Sequence, residues 1–224
     1  MSFGSLVVVR GLCLSPGKRC LLLHGKGNSG PEMLEKFEAK IVPALVPMEF
    51  FAPTAPLPLD GGGAQWWRLN AGERSFTAAQ YDGLDESARF LRTYCEEHGP
   101  FDAVWGHSQG AILMAAALAN PELFDSIFPQ APRRFLLNGA AWPKPFAEDD
   151  FFEQPEPRLR PREKEPRKNI ASLHCFGTAD TINPPDQAAR IASELGGTTY
   201  QHDGGHYVPD DKKALDAYRR FFFP

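Results

Sequence analysis

The sequence predicts an α/β fold of three layers, a mainly parallel sheet covered by helices on both faces. Three observations lead there. Short apolar runs alternate along the chain with helical patterns, the rhythm of a parallel sheet with crossover helices. Several runs, such as CLLLH at 20–24 and AVWGH at 103–107, are apolar without alternation, as strands buried on both faces should be. The chain has 224 residues, 42% of them hydrophobic, which suits one compact domain with a real core.

Taken in order, strands are expected near 20–24, 48–51, 103–107, 134–138, 172–176 and 198–202. Helices are expected near 31–41, 80–98, 109–119, 185–195 and 210–222. Pro31 suits a first helical position, and Asn120-Pro121 ends the third helix. Leu215, Tyr218 and Phe222 give the last helix an apolar stripe. Residues 52–63 (APTAPLPLDGGG) read as loop. Residues 143–168 mix proline with dense charge and bury little, so they read as a surface loop within a single domain spanning 1–224. At the N-terminus, residues 1–18 read as an extension of the mature protein. Residues 6–12 are apolar and β-branched. They are expected to lie antiparallel along the outer edge of the strand at 48–51, with Cys13 and Cys20 unbonded.

Composition excludes several classes. The formal net charge is −4 and no basic run occurs, so a nucleic-acid partner has no electrostatic support. No stretch reaches the roughly 18 apolar residues of a membrane span. Cys13, Cys20, Cys95 and Cys175 show no metal-ligand spacing and read as reduced thiols of a cytoplasmic protein.

The chemistry is carried by Gly106-His107-Ser108-Gln109-Gly110, a G-x-S-x-G motif between an apolar strand and the helix-forming run AILMAAALA. Such a serine sits on a sharp turn, its hydroxyl free above the sheet, with small neighbours so that strand and helix can pack closely. A serine hydroxyl is a weak nucleophile and needs a base, and the base needs an orienting acid. In the α/β-hydrolase fold these follow in the order Ser, Asp or Glu, His. Asp180 (GTAD, 177–180) and His206 (GGH, 204–206) fit, each just beyond a strand, where open α/β sheets build their sites. Asp186 and His202 are weaker candidates, one opening a helix and the other ending a strand.

An oxyanion hole needs two backbone N–H groups. One comes from the residue after the nucleophile, Gln109. The other comes from the loop after the first core strand, His24-Gly25-Lys26-Gly27-Asn28-Ser29-Gly30, with Lys26 the natural candidate. That loop also reads G-x-G-x-x-G, formally a dinucleotide fingerprint. The acid expected at the end of the second strand is missing, since Phe50-Phe51 follow Glu49.

With these residues in place, the chain over roughly 20–223 resembles the FSH-type (OVCA2-like) serine hydrolases. The likeness rests on LLLHGKGNSG, DGGGAQWW (60–67), GHSQGA (106–111), GTAD and GGHYVP (204–209). It implies carboxylesterase activity without metal or organic cofactor. It also implies a Ser108, Asp180 and His206 triad, with Lys26 and Gln109 as oxyanion donors. The chain departs from the family in residues 1–18 and in the charged stretch at 143–168, where a hydrolase can carry a lid. The HG-x-G and G-x-S-Q-G pair also resembles acyl-protein thioesterases, the alternative reading. A ligand-binding module on the same scaffold is a third, disfavoured because a binder has no need of all three groups.

The expected function is hydrolysis of a small-molecule acyl ester through an acyl-enzyme. Trp66, Trp67 and Trp142 are candidates to line an apolar acyl pocket, with core packing as their alternative role.

Overall fold

The computed structural model describes residues 17–147 and 169–224. In chain order its elements are β1 (Arg19–Leu23), α1 (Gly30–Glu38), α2 (Ile41–Ala44), β2 (Glu49–Phe51), β3 (Leu57–Pro58), β4 (Ala64–Gln65), α3 (Leu84–His98), β5 (Ala103–His107), α4 (Gln109–Ala119), α5 (Pro121–Ile127), β6 (Arg134–Asn138), α6 (Lys144–Ala147), β7 (Ala171–Gly177), α7 (Pro185–Leu195), β8 (Thr198–His202) and α8 (Lys212–Phe222).

Six strands form one sheet in the order β2-β1-β5-β6-β7-β8, and every neighbouring pair is parallel. The unbroken apolar runs have the predicted cause. Leu21, Leu23, Val104, Phe135 and Leu137 face a core shared with α3, α4 and α5. Their neighbours Cys20, Leu22, Ala103, Trp105 and Leu136 face the opposite core, with Phe37 of α1 and Tyr218 and Phe222 of α8. This is the expected three-layer α/β-hydrolase architecture.

The topology places the site. From β1 the chain moves outward to β2, then returns to β5 and steps the other way to β8. The reversal falls at the carboxyl ends of β1 and β5, the place where sheets of this kind hold ligands. The loop from Gly25 to Asn28 leaves β1 there, and Ser108 follows β5 at the same end.

Local chemistry moved several boundaries. The first helix is a capping-box helix: Ser29 Oγ accepts from the Glu32 N–H, and the Glu32 carboxylate accepts from the Ser29 N–H at 2.7 Å. It stops at Glu38, and a separate short turn, α2, follows. Asn120-Pro121 ends α4 as expected but also starts α5, which the sequence reading missed. Asn120 Oδ1 accepts from the Leu123 N–H at 3.0 Å, so one asparagine closes one helix and caps the next. Within the Pro- and Gly-rich stretch, Leu57–Pro58 pairs with Ala64–Gln65 as a short antiparallel hairpin of two-residue strands. The edge-strand expectation for 6–12, with Cys13, lies outside the described residues, as does 148–168 of the charged loop; the start of that stretch is no surface loop, since Lys144–Ala147 forms α6 and Pro143 and Pro145 are buried. Cys20, Cys95 and Cys175 are free and buried. Among the described residues no helix is long and apolar enough to cross a membrane.

Candidate active site

Ser108 stands between β5 and α4 with φ 52° and ψ −117°, a backbone conformation that non-glycine residues rarely adopt. The surroundings over-determine it. Its N–H donates to the Asn138 carbonyl at 2.9 Å, and its own carbonyl accepts from the Ile112 N–H at 2.9 Å. A Cβ on Gly106 would come within 2.6 Å of Ala111 Cα, and one on Gly110 would overlap the Leu23 carbonyl. The flanking glycines are therefore steric requirements of a turn this tight.

The loops after β7 and β8 bring Asp180 and His206 to this serine. His206 Nε2 lies 2.8 Å from Ser108 Oγ, and His206 Nδ1 lies 2.6 Å from Asp180 Oδ2. Asp180 is 4% exposed, and its other oxygen accepts from the Ile182 and Asn183 N–H groups, each at 2.9 Å. The carboxylate is thus fixed by backbone on one side and meets the imidazole on the other. Asn183 Nδ2 in turn donates to the Gly139 carbonyl at 2.6 Å. Gly139 has φ +59°, and a Cβ there would sit 3.0 Å from His206 Cε1, so glycine keeps the ring's place open.

The first loop is clamped from the far side. The Gly27 N–H donates to the Ala64 carbonyl (2.9 Å) and the Ala64 N–H to the Asn28 carbonyl (3.0 Å). Gln109 then fixes the following residues: its Oε1 accepts from the Trp66 N–H and its Nε2 donates to the Trp67 carbonyl, both at 2.8 Å. The Trp66 indole N–H donates to the His24 carbonyl at 2.9 Å. The DGGGAQWW segment is therefore a brace between the Gly25–Asn28 loop and the start of α4. Gly27 spends its N–H on Ala64, whereas the backbone N–H groups of Lys26 and Gln109, like those of Gly25 and Gly110, meet no acceptor among the described residues.

The G-x-G-x-x-G spacing has its explanation here. A Cβ on Gly25 would press on Ser108 Cβ at 3.1 Å, Gly27 has φ +84°, and a Cβ on Gly30 would overlap the Ala52 carbonyl. These are packing needs of the loop itself. Trp66, Trp67 and Trp142 are 0%, 1% and 3% exposed and belong to one core cluster, with Trp67 stacked on Tyr81 at 4.5 Å. The weaker candidates lie apart from the serine: Asp186 accepts from Gln187 Nε2, and His202 Nδ1 accepts from the Gly204 N–H.

Two further residues complete the surroundings: His107, which the sequence offers only as a weak candidate because it adjoins the serine, and Asn138, to which the sequence reading gave no role. His107 Nδ1 lies 2.8 Å from Asn138 Oδ1, and its ring lies 5.2 Å from that of His206. Burial first, and then the proximity of His206, push the His107 pKa down to about 4 against the hydrogen bond to Asn138. A polar residue closing an otherwise apolar buried strand, in AVWGH and again in RFLLN, is the signal that could have flagged both.

An unfolded histidine takes up its proton near ~6.5. His107 in the fold resists protonation down to about 4. Between those values the unfolded state binds the extra proton, so the native state loses stability as pH falls. Burial lowers His24, His174 and His202 in the same direction. The thermal midpoint is expected to drop on acidification through that window, and less steeply in His107→Phe. A midpoint flat across it would contradict the neutral, half-buried ring.

The architecture defines the class as an α/β hydrolase, and comparison with known proteins agrees. Over 92% of each chain, the fold matches the structure of Zea mays acyl-protein thioesterase 2 with a TM-score of 0.64 at 19% identity. In sequence, a family model described as Serine hydrolase (FSH1) matches residues 14–218, and the chain belongs to that family. It is 30% identical to human Esterase OVCA2 over 162 residues, 70% of this chain, and spans 66% of that protein's length. It is 27% identical to Esterase C25G4.2 of Caenorhabditis elegans, covering 88% of this chain and 89% of that one.

Proposed function

We propose that the protein is a serine carboxylesterase acting on small-molecule acyl esters. Ser108 Oγ attacks the ester carbonyl while His206 Nε2 takes its proton. Asp180 holds the His206 Nδ1–H and stabilises the imidazolium that forms. The tetrahedral oxyanion is received by the Lys26 and Gln109 N–H groups. His206 then returns the proton to the departing alcohol, and a water activated by the same imidazole releases the acyl group from Ser108. The observation that carries this reading is the unbroken hydrogen-bond chain from Ser108 through His206 to Asp180, at 2.8 and 2.6 Å. The relatives named as esterases support the ester as substrate.

The acyl group's own surface is a finer matter. Trp66, Trp67 and Trp142, the candidates for an apolar lining, have their indoles packed in the core. The apolar side chains that offer free surface beside the site are Ile182 and Tyr207, 50% and 51% exposed. They cover a chain on one side only. A series of model esters from acetate upward is therefore expected to show kcat/KM rising with each methylene by less than the ~0.8 kcal/mol of full burial. A rise near that full value would mean the chain enters between the tryptophans. Matched acyl-thioesters run alongside test the substrate class. Consistently higher kcat/KM on thioesters than on esters would overturn the carboxylesterase reading in favour of a thioesterase.

A further inference from the structure

We propose that Asn138 is a positioning residue that keeps the serine turn and the histidine loop in register. The inference rests on the serine-hydrolase reading above. Asn138 ends β6, is fully buried, and lies opposite His107 of β5 in the sheet. Its backbone carbonyl accepts the Ser108 N–H at 2.9 Å. Its side-chain amide reaches both neighbouring strand ends. Nδ2 faces two carbonyls, those of Cys175 at 3.5 Å and of Tyr207 at 3.4 Å. Oδ1 faces His107 Nδ1 at 2.8 Å.

These contacts fix which atom donates as well as where it sits. The carbonyls of Cys175 and Tyr207 can only accept, so the amide must turn its Nδ2 toward them and its Oδ1 toward His107. His107 Nδ1 must then carry the hydrogen. The His107 ring is thereby held edge to edge with the serine turn through its Nδ1–H, and it packs beside the ring of His206. On the other side, the Tyr207 carbonyl belongs to the residue that follows His206. One amide thus links the residue before Ser108 to the residue after His206. The link to Tyr207 is long in the free protein. Hydrogen bonds that support catalysis are often long at rest and tighten in the reacting complex. A displacement of about 1 Å between nucleophile and base, from a group that touches neither substrate nor reacting atoms, can lower turnover roughly 100-fold.

The test uses the full chain and a model ester. Active sites are titrated with a fluorophosphonate so that kcat is counted per competent molecule. Asn138→Ala is expected to lower kcat roughly 10- to 100-fold with KM little changed. His107→Phe, which keeps a ring beside His206 but loses the nitrogen, is expected to lower kcat less. The double variant should be little worse than Asn138→Ala alone, because both break one linkage. Asn138→Asp keeps the shape and the acceptor toward His107 but offers no N–H to Tyr207. It covers the case in which the alanine variant fails to fold, and its kcat should fall in the same direction. Wild-type kcat per titrated site in Asn138→Ala or Asn138→Asp, or strictly additive losses in the double variant, would overturn the proposal. A purely structural asparagine would lower the thermal midpoint and leave kcat per site untouched. A wild-type protein that takes no label would overturn the enzymatic reading instead, and this inference with it.

Discussion

Ser108→Ala is expected to lower kcat by about 10⁶-fold, to the residual rate that binding and backbone donors alone provide. The fold should survive the change. Ser108 is held by its backbone, through the Asn138 carbonyl and the Ile112 N–H, and alanine keeps both. Alanine also carries the same Cβ, so the positive φ is no more strained than before. What disappears is the oxygen 2.8 Å from His206 Nε2. Steady-state turnover of a model ester, with circular dichroism and a thermal midpoint to verify folding, measures the effect. Undiminished turnover in a folded variant would remove Ser108 from the mechanism.

Asp180→Asn is expected to cost about 10⁴-fold in kcat with the site's geometry nearly unchanged. The reason lies in the hydrogen bonds on the carboxylate's far side. Oδ1 accepts from the Ile182 and Asn183 N–H groups, which can only donate. An asparagine must therefore leave its oxygen there and turn its NH₂ toward His206 Nδ1. That nitrogen becomes an acceptor, and the ring's hydrogen moves to Nε2. An imidazole with hydrogen on Nε2 cannot take the serine proton. Asp180→Ala, which imposes no tautomer, should be no more active than Asp180→Asn only if orientation by the carboxylate matters as much as the tautomer. Near wild-type kcat in Asp180→Asn would mean that Asp180 does not orient His206.

What could be read from the sequence was what short stretches decide for themselves. The core strands could be located because a strand buried on both faces must be apolar throughout, as in CLLLH and RFLLN. Ser108, Asp180 and His206 could be nominated because a tight turn and two strand ends leave local marks: flanking glycines, and polar residues just beyond apolar runs. The structure brings these three within hydrogen-bonding reach of one another. The brace formed by Gln109 with Trp66 and Trp67 joins residues more than forty positions apart, and no local pattern announces such a pair. Gln109 was nominated for its backbone N–H, and its side chain turned out to have a separate task. The tryptophans drew attention as possible ligand surface, whereas the packing makes Trp66 and Trp67 core residues through which that brace runs. Helix α5 was missed because Asn120-Pro121 was read only as a stop. Its starting function depends on where the Asn120 side chain turns. The polar end of RFLLN marks Asn138 as unusual, but not its task, since its four partners come from three other stretches of chain.

The most direct test of the central claim is to map a covalent adduct. The full-length protein is incubated with a fluorophosphonate probe, digested, and its peptides sequenced by mass spectrometry. A single adduct on Ser108, blocked by prior acid unfolding and lost in His206→Ala, is the predicted result. An adduct on a different residue, or none on Ser108 in folded protein, would contradict the assignment of Ser108 as the nucleophile.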